Sequence, residues 1–258
     1  MTKWKTSITK IEPNHIVTKG YRQEDLIGTV PFAHVVYLLL KDALPTPEQG
    51  MMMDAILTAC VDHGVTPPSS IAARTVASGG VPLPTAVAAG VLSIGDAHGG
   101  AIEKAALLLQ NGVAQKNNEN KTIPEIACSI VQKSVQEKKR IPGFGHRIHT
   151  ADPRTKKLFI LAEQNGIAAD HVHLAQAIES ELEKTTGKQL PINVDGAIAA
   201  IISDMGFDWR LGKAFFVLGR VAGLVAQVYE EQTMEKPMRE MFTIDYDYVG
   251  PSERKLPR

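Results

Sequence analysis

The 258-residue chain is short of several things that would place it quickly. It has two cysteines, Cys60 and Cys128, with no CxxC spacing and no metal-type partner nearby, so a disulfide framework and a cysteine-built metal site are both excluded. Aromatic residues make up 5% of the chain, and apolar–polar alternation of period two is scarce, which argues against a β architecture. Charge of one sign is missing too. The 28 basic and 28 acidic side chains cancel, so no bulk attraction to nucleic acid or an acidic membrane is expected, and any anion must be held by a local cluster. No apolar run reaches the length of a membrane span, because Pro82 and Pro84 break one candidate window and Arg220 the other. Residues 1–17 lack the apolar stretch of a secretory signal, so a cytoplasmic protein without membrane or nucleic-acid partners is the expectation.

What is present is helical. Thr46-Pro47-Glu48-Gln49 puts a capping Thr before Pro at the first helical position and Gln three residues on, and Met53, Ile56 and Leu57 follow at helical spacing. Thr122-Ile123-Pro124-Glu125 repeats the device ahead of Ile126, Ile130 and Val131. Val172, Ala175, Ile178 and Leu182 form an apolar stripe closed by Lys184 and Gly187. Further helices are expected at 31–41, 70–77, 84–93, 99–111, 153–165, 196–205 and 212–230, with an extended tail over 233–258. The fold class read from the pattern is all-α.

Several polar residues stand where a helical core would not place them. His63 in Asp62-His63-Gly64 and His98 in Ala97-His98-Gly99-Gly100 each sit at a helix end, where a dipole or turn role competes with a catalytic one. Pro142-Gly143-Phe144-Gly145-His146-Arg147 wraps two glycines around one aromatic, a backbone able to approach a flat or anionic ligand. Arg147 and Arg154 follow it, and arginine grips carboxylate and phosphate in a bidentate fork. Asn193-Val194-Asp195-Gly196 reads equally as a capped helix start and as a catalytic carboxylate. Arg220 interrupts an apolar run, where a guanidinium without an anion would be costly, so an internal carboxylate or an acidic ligand must face it. His171 and His173 are two positions apart on an expected helix and cannot share a metal, and no carboxylate or cysteine cluster completes His146 and His149. No metal is expected.

Taken together and in order, these motifs resemble the citrate synthases. The opening Gly20-Tyr21 with Glu24-Asp25-Leu26-Ile27, the segment from Phe32 through Leu44-Pro45-Thr46, and Asp62-His63-Gly64 with Ser69, Ser70 and Arg74 carry the first half of the likeness. His98-Gly99-Gly100-Ala101, the loop at 142–147 with Asp152-Pro153-Arg154, Asn193 to Gly196, and Phe216 to Arg220 carry the rest. One departure sets the subtype: a single helix's worth of residues separates Thr46 from Asp62, where ordinary citrate synthases carry a long additional helical block. That shortened form resembles citryl-CoA lyase and the citryl-CoA-cleaving module of ATP-citrate lyase, although His98 fits the synthase pattern.

The resemblance implies a citrate-synthase-like module over 1–258, with a small mobile subdomain around 100–200. It implies cleavage of citryl-CoA to acetyl-CoA and oxaloacetate, with coenzyme A entering as a thioester and no metal. A minimal citrate or 2-methylcitrate synthase is the alternative, and a module serving a citryl-CoA synthetase partner a second. By match to the family's motifs, His98, His146 and Asp195 are the catalytic residues, and His63, Arg154 and Arg220 the carboxylate contacts. Arg239 resembles an arginine lent to a neighbouring subunit's site, implying a homodimer or larger homo-oligomer. Pro142, Gly143, Phe144, Gly145 and Arg147 would hold the coenzyme A moiety.

Overall fold

The computed structural model describes residues 3–145, 152–239 and 245–256. Among them lie a three-stranded antiparallel sheet and 11 α-helices. The sheet runs β1 (Thr9–Glu12), β2 (His15–Thr18), β3 (Tyr21–Arg22) in that order and leads into the short α1 (Gln23–Leu26). Then come α2 (Phe32–Lys41), α3 (Pro47–Cys60), α4 (Pro68–Ser78), α5 (Leu83–Leu92), α6 (Ala101–Glu119) and α7 (Ile123–Gln136). The second half holds α8 (Pro153–Gln164), α9 (Asp170–Thr186), α10 (Val194–Asp204), one 3-10 turn at Trp209–Leu211, and α11 (Gly212–Met234).

Every expected helix is present, and the ends follow local chemistry. At α3 the Thr46 hydroxyl accepts from the Gln49 amide at 3.2 Å while the Thr46 N–H donates to the Gln49 side chain at 3.0 Å, so two orphan donors are satisfied reciprocally. At α7 both the N–H and the hydroxyl of Thr122 donate to the Glu125 carboxylate at 2.7 Å. Helix α6 runs to Glu119, past the expected end at 111, because nothing in the polar stretch 114–119 breaks a helix; Asn120 in the left-handed region stops it. The helical fold expected is the one observed, and the short N-terminal sheet is an addition to it. Its strands are too short for a periodicity argument, and the legible signals were the turns, with Asn14 at φ 57° and Lys19-Gly20 at φ 49° and 87°.

The larger core joins α2, α3 and α6–α11 around Phe215, Met53, Ile56, Ile102, Leu109 and Ile198. A smaller one, from Ala73, Ala77, Ala86, Leu224 and Val228, welds α4 and α5 to the outer half of α11. Helix α11 touches α3, α4, α5 and α6. By length and composition Trp209–Met234 would suit a bilayer, but Arg220 and Glu231 are both buried within it among those neighbours, which is the setting of a core helix. Its glycines bring α3 close: a Cβ on Gly219 would lie 2.5 Å from the Leu57 carbonyl oxygen, and one on Gly223 would lie 1.9 Å from that of Val61. Backbone carbonyls at the end of α3 thereby come within reach of Arg220. The described tail, 245–256, has no regular element.

Removing the α3 cap by Thr46→Ala is expected to cost about 1 kcal/mol. Urea unfolding should show a lower midpoint with an unchanged slope.

Candidate active site

The end of α3, the start of α4, the turn at 95–100 and the middle of α11 converge on one serine. The Ser69 hydroxyl lies 2.8 Å from His98 Nε2 and 3.4 Å from an Arg220 Nη, and the Ser69 backbone N–H also points at His98 Nε2, at 3.4 Å. A backbone N–H can only donate, and the guanidinium can only donate to the hydroxyl oxygen, so the serine's own hydrogen is free to go to Nε2. This network assigns His98 as the neutral tautomer carrying its proton on Nδ1. Burial lowers the pKa of His98, and the Arg220 charge lowers it further. The Ser69 N–H belongs to the first turn of α4, whose positive end also disfavours an imidazolium. His98 therefore offers one fixed hydrogen-bond donor, Nδ1–H.

Arg220 is 2% exposed and makes no ion pair with any of the described residues. Its Nε donates to the Cys60 carbonyl at 3.0 Å, and its guanidinium carbon stands 4.8 Å over the Phe216 ring. The edge of that ring meets His98, with centroids 5.4 Å apart at 84°. Burial pulls the Arg220 pKa down, against the nearby Asp62 carboxylate, which raises it. So the internal anion expected to face Arg220 is met in part by Asp62 at a distance, and the donors beyond those given to Cys60 and Ser69 remain for an acidic ligand. Burial pushes the Cys60 thiol up to about 12, which makes it an inert wall.

Asp195 is the second residue of α10, whose first turn is capped by Asn193 accepting from the Gly196 N–H at 3.1 Å. A carboxylate there would ordinarily be stabilised by the helix dipole. Desolvation wins instead, and raises Asp195 to about 6, against the attraction of Arg154 and Arg220 and with the help of Asp152. The loop at 142–145 is what closes this end of the helix. Gly143 sits at φ 86°, and a Cβ on it would lie 2.7 Å from Gly196 Cα. Its carbonyl accepts from the Asn193 N–H at 3.0 Å, the Asn193 side chain donates to the Gly145 carbonyl at 2.9 Å, and the Gly145 N–H donates to Pro191 at 2.7 Å. The close approach that two glycines allow is thus made by Gly143 to Gly196, and Phe144 pairs with Ile192 in a backbone bridge.

Arg154 opens α8 with Nε and an Nη on the two oxygens of Asp152, at 3.1 and 2.8 Å, and its other Nη reaches toward the Ala59 carbonyl at 3.5 Å. It is thereby fixed between α3 and α10 as a second cation beside Asp195. His63 is exposed on the loop after α3, next to Asp62, which accepts from the Gly64 N–H at 2.8 Å and from Gln227 at 3.2 Å. Arg239 is not part of this cluster. It pairs at 2.7 Å with Glu231, a fully buried carboxylate shared with Arg74 of α4, and at 2.9 Å with Glu235. His146 and Arg147 lie outside the described residues. Sequence reasoning gave no role to Ser69, Phe216, Cys60 or Asp152; Asp152-Pro153 is a helix-start signal that places Arg154, while nothing in the sequence marks Ser69 as the partner of His98.

The raised Asp195 pKa fixes the sign of a stability effect. With an unfolded value near 3.8 and a folded one of about 6, the folded state holds the proton more tightly, so the penalty is absent below about pH 4 and fully present above about pH 6. Asp195→Asn should therefore be more stable than the parent at pH 8, by up to about 3 kcal/mol, with the difference vanishing near pH 4. Denaturant titrations at both pH values check this, and a lower stability at pH 8 would mean that Asp195 serves only the helix dipole.

Comparison with known proteins identifies the family and the fold. The family model "Citrate synthase, C-terminal domain" matches residues 45–240. The solved citryl-CoA lyase of Hydrogenobacter thermophilus is 48% identical, with a TM-score of 0.91 covering 98% of this chain and 97% of that one. An ATP citrate lyase of Methanosaeta concilii, solved as a D541A mutant with (3S)-citryl-CoA, shares the fold at 24% identity and a TM-score of 0.82, covering 98% of this chain and 42% of that one. "Putative citrate synthase 2" of Mycobacterium tuberculosis is 30% identical over 216 residues, 81% of this chain and 54% of that protein. The chain spans between about a third and about a half of the curated relatives it matches. With the family model covering most of its length, the chain belongs to the citrate synthase family.

Proposed function

We propose that this protein is a citryl-CoA lyase that cleaves citryl-CoA to acetyl-CoA and oxaloacetate. The observation that carries the proposal is the pairing of a neutral, serine-held His98 with a desolvated Asp195 beside two arginines. Breaking the carbon–carbon bond sends its electrons onto the thioester, where an enolate oxygen needs a fixed donor and the methylene carbon needs a proton from a weak acid. His98 Nδ1–H supplies the first and Asp195 the second. A carboxyl group with a pKa of about 6 is a far better proton store at neutral pH than an ordinary one near 4. The tertiary hydroxyl gives up its proton as it becomes the oxo group of oxaloacetate, and His146, by its match to the family loop, is the base that takes it. Arg220 and Arg154, with His63, hold the carboxylates. The loop Pro142 to Gly145 with Arg147 lies on the coenzyme A side in this reading.

The likeness to the Hydrogenobacter lyase along nearly the whole of both chains supports the lyase over the synthase. The synthase reading keeps support from the mycobacterial relative described as a putative citrate synthase and from the fit of His98 to the synthase pattern. It uses the same residues in reverse and then hydrolyses the thioester. A cytoplasmic homo-oligomer with Arg239 reaching a neighbouring site, working beside a citryl-CoA synthetase, completes the proposal.

Purified protein supplied with citryl-CoA should release oxaloacetate and acetyl-CoA together, the former read by NADH loss through malate dehydrogenase. Free coenzyme A and citrate in their place would identify a synthase, and no product would point to a partner-dependent module. Removing the His98 donor by His98→Ala should lower kcat by about 10²–10³. Asp195→Asn should lower it by about 10²–10⁴ while leaving the fold intact by circular dichroism.

A further inference from the structure

The loop after α3 meets α11 at Gly223, where a Cβ would lie 3.2 Å from Asp62 Cβ, so Asp62 stands directly over that glycine. Arg220 lies three residues before Gly223 and Gln227 four after it, which puts all three on one face of the helix. The Asp62 carboxylate therefore has a cation about one turn to one side and an amide about one turn to the other. It takes the amide. One of its oxygens accepts from Gln227 Nε2 at 3.2 Å and the other from the Gly64 N–H at 2.8 Å.

On charge alone a guanidinium is the stronger partner for a carboxylate, so something must hold Asp62 on the weaker one. Arg74 does this through Gln227. Its Nη1 donates to Gln227 Oε1 at 2.7 Å, and because an arginine can only donate, the amide is fixed with its N–H groups toward Asp62. Arg74 is 8% exposed and is anchored in turn by Glu230 and Glu231, each at 2.8 Å. Held this way, Asp62 still acts on Arg220 through space, where burial lowers the arginine's pKa and the carboxylate raises it. It leaves untouched the Arg220 donors not given to Cys60 and Ser69.

We propose that Gln227 is a positioning residue that tethers Asp62 short of Arg220, keeping the guanidinium open for a carboxylate of the substrate. Released from Gln227, Asp62 turns one helical turn back and becomes a built-in competitor for that carboxylate. The inference rests on the reading of Arg220 as a carboxylate contact.

Gln227→Met keeps the side-chain length and loses both hydrogen bonds. With citryl-CoA it is expected to raise KM about tenfold, as for a site left competent in about a tenth of the molecules, and to keep kcat within about twofold of the parent. Adding Asp62→Asn should bring KM back toward the parent value, since an amide is no rival anion, whereas a merely structural loss gains nothing from it. Gln227→Glu keeps the bond from Arg74 and repels Asp62, so it should behave like Gln227→Met and replaces it should that variant fold poorly. An unchanged KM, or a raised KM that Asp62→Asn does not lower, would overturn the proposal. Hydrogen exchange at the Gly64 amide of the ligand-free protein reports the Asp62 bond independently of any reaction, and its protection should be lost in Gln227→Met. If the parent cleaves no citryl-CoA, the reaction assigned above fails, and an unchanged Gly64 amide is then the result that overturns the tether.

Discussion

A guanidinium buried in the middle of an apolar helix sets the terms for the rest of the site. Among the described residues Arg220 has no carboxylate in contact, and its burial is offset by a backbone carbonyl at the end of α3, a hydroxyl at the start of α4 and the face of Phe216. The first two of those contacts join α11 to the helices that make the site. The same charge reaches His98, which it helps to keep neutral, and Asp195, which it pulls back against desolvation. Among the described residues, the Arg220 donors not taken by Cys60 and Ser69 stay open toward the site, where an acidic ligand would complete them.

Asp195 shows how the fold creates a weak acid at a position where helix geometry favours a strong one. The α10 N-terminus would lower its pKa, but the glycine-to-glycine contact between 143 and 196 brings a loop against that terminus, and desolvation outweighs the dipole. The cost is borne as stability above pH 6, and returns as chemistry if the carboxyl group donates its proton to carbon.

Much of this was readable from the chain. The capping boxes at Thr46 and Thr122 and the stripe from Val172 to Leu182 are local signals, and they placed helices within a few residues because the end of a helix is decided by its own first or last turn. Arg220 was legible as an anomaly, since an isolated charge in an apolar run demands a partner. Its partners were not, because Ser69 and the Cys60 carbonyl are 151 and 160 residues away and carry no signature of their own. The glycines at 143 and 145 announced a close approach without saying to what. Three strands of four residues or fewer went unread for lack of length, and His146 and Arg147 lie outside the described residues, so their roles rest on resemblance.

The network around Ser69 holds His98 neutral with its proton on Nδ1. Nitrogen-15 NMR of the ligand-free protein tests it directly. A protonated Nδ1, an unprotonated Nε2, and no conversion to imidazolium as the pH falls through about 6.5, the ordinary histidine midpoint, are expected. A proton on Nε2, or titration at or above that midpoint, would contradict it.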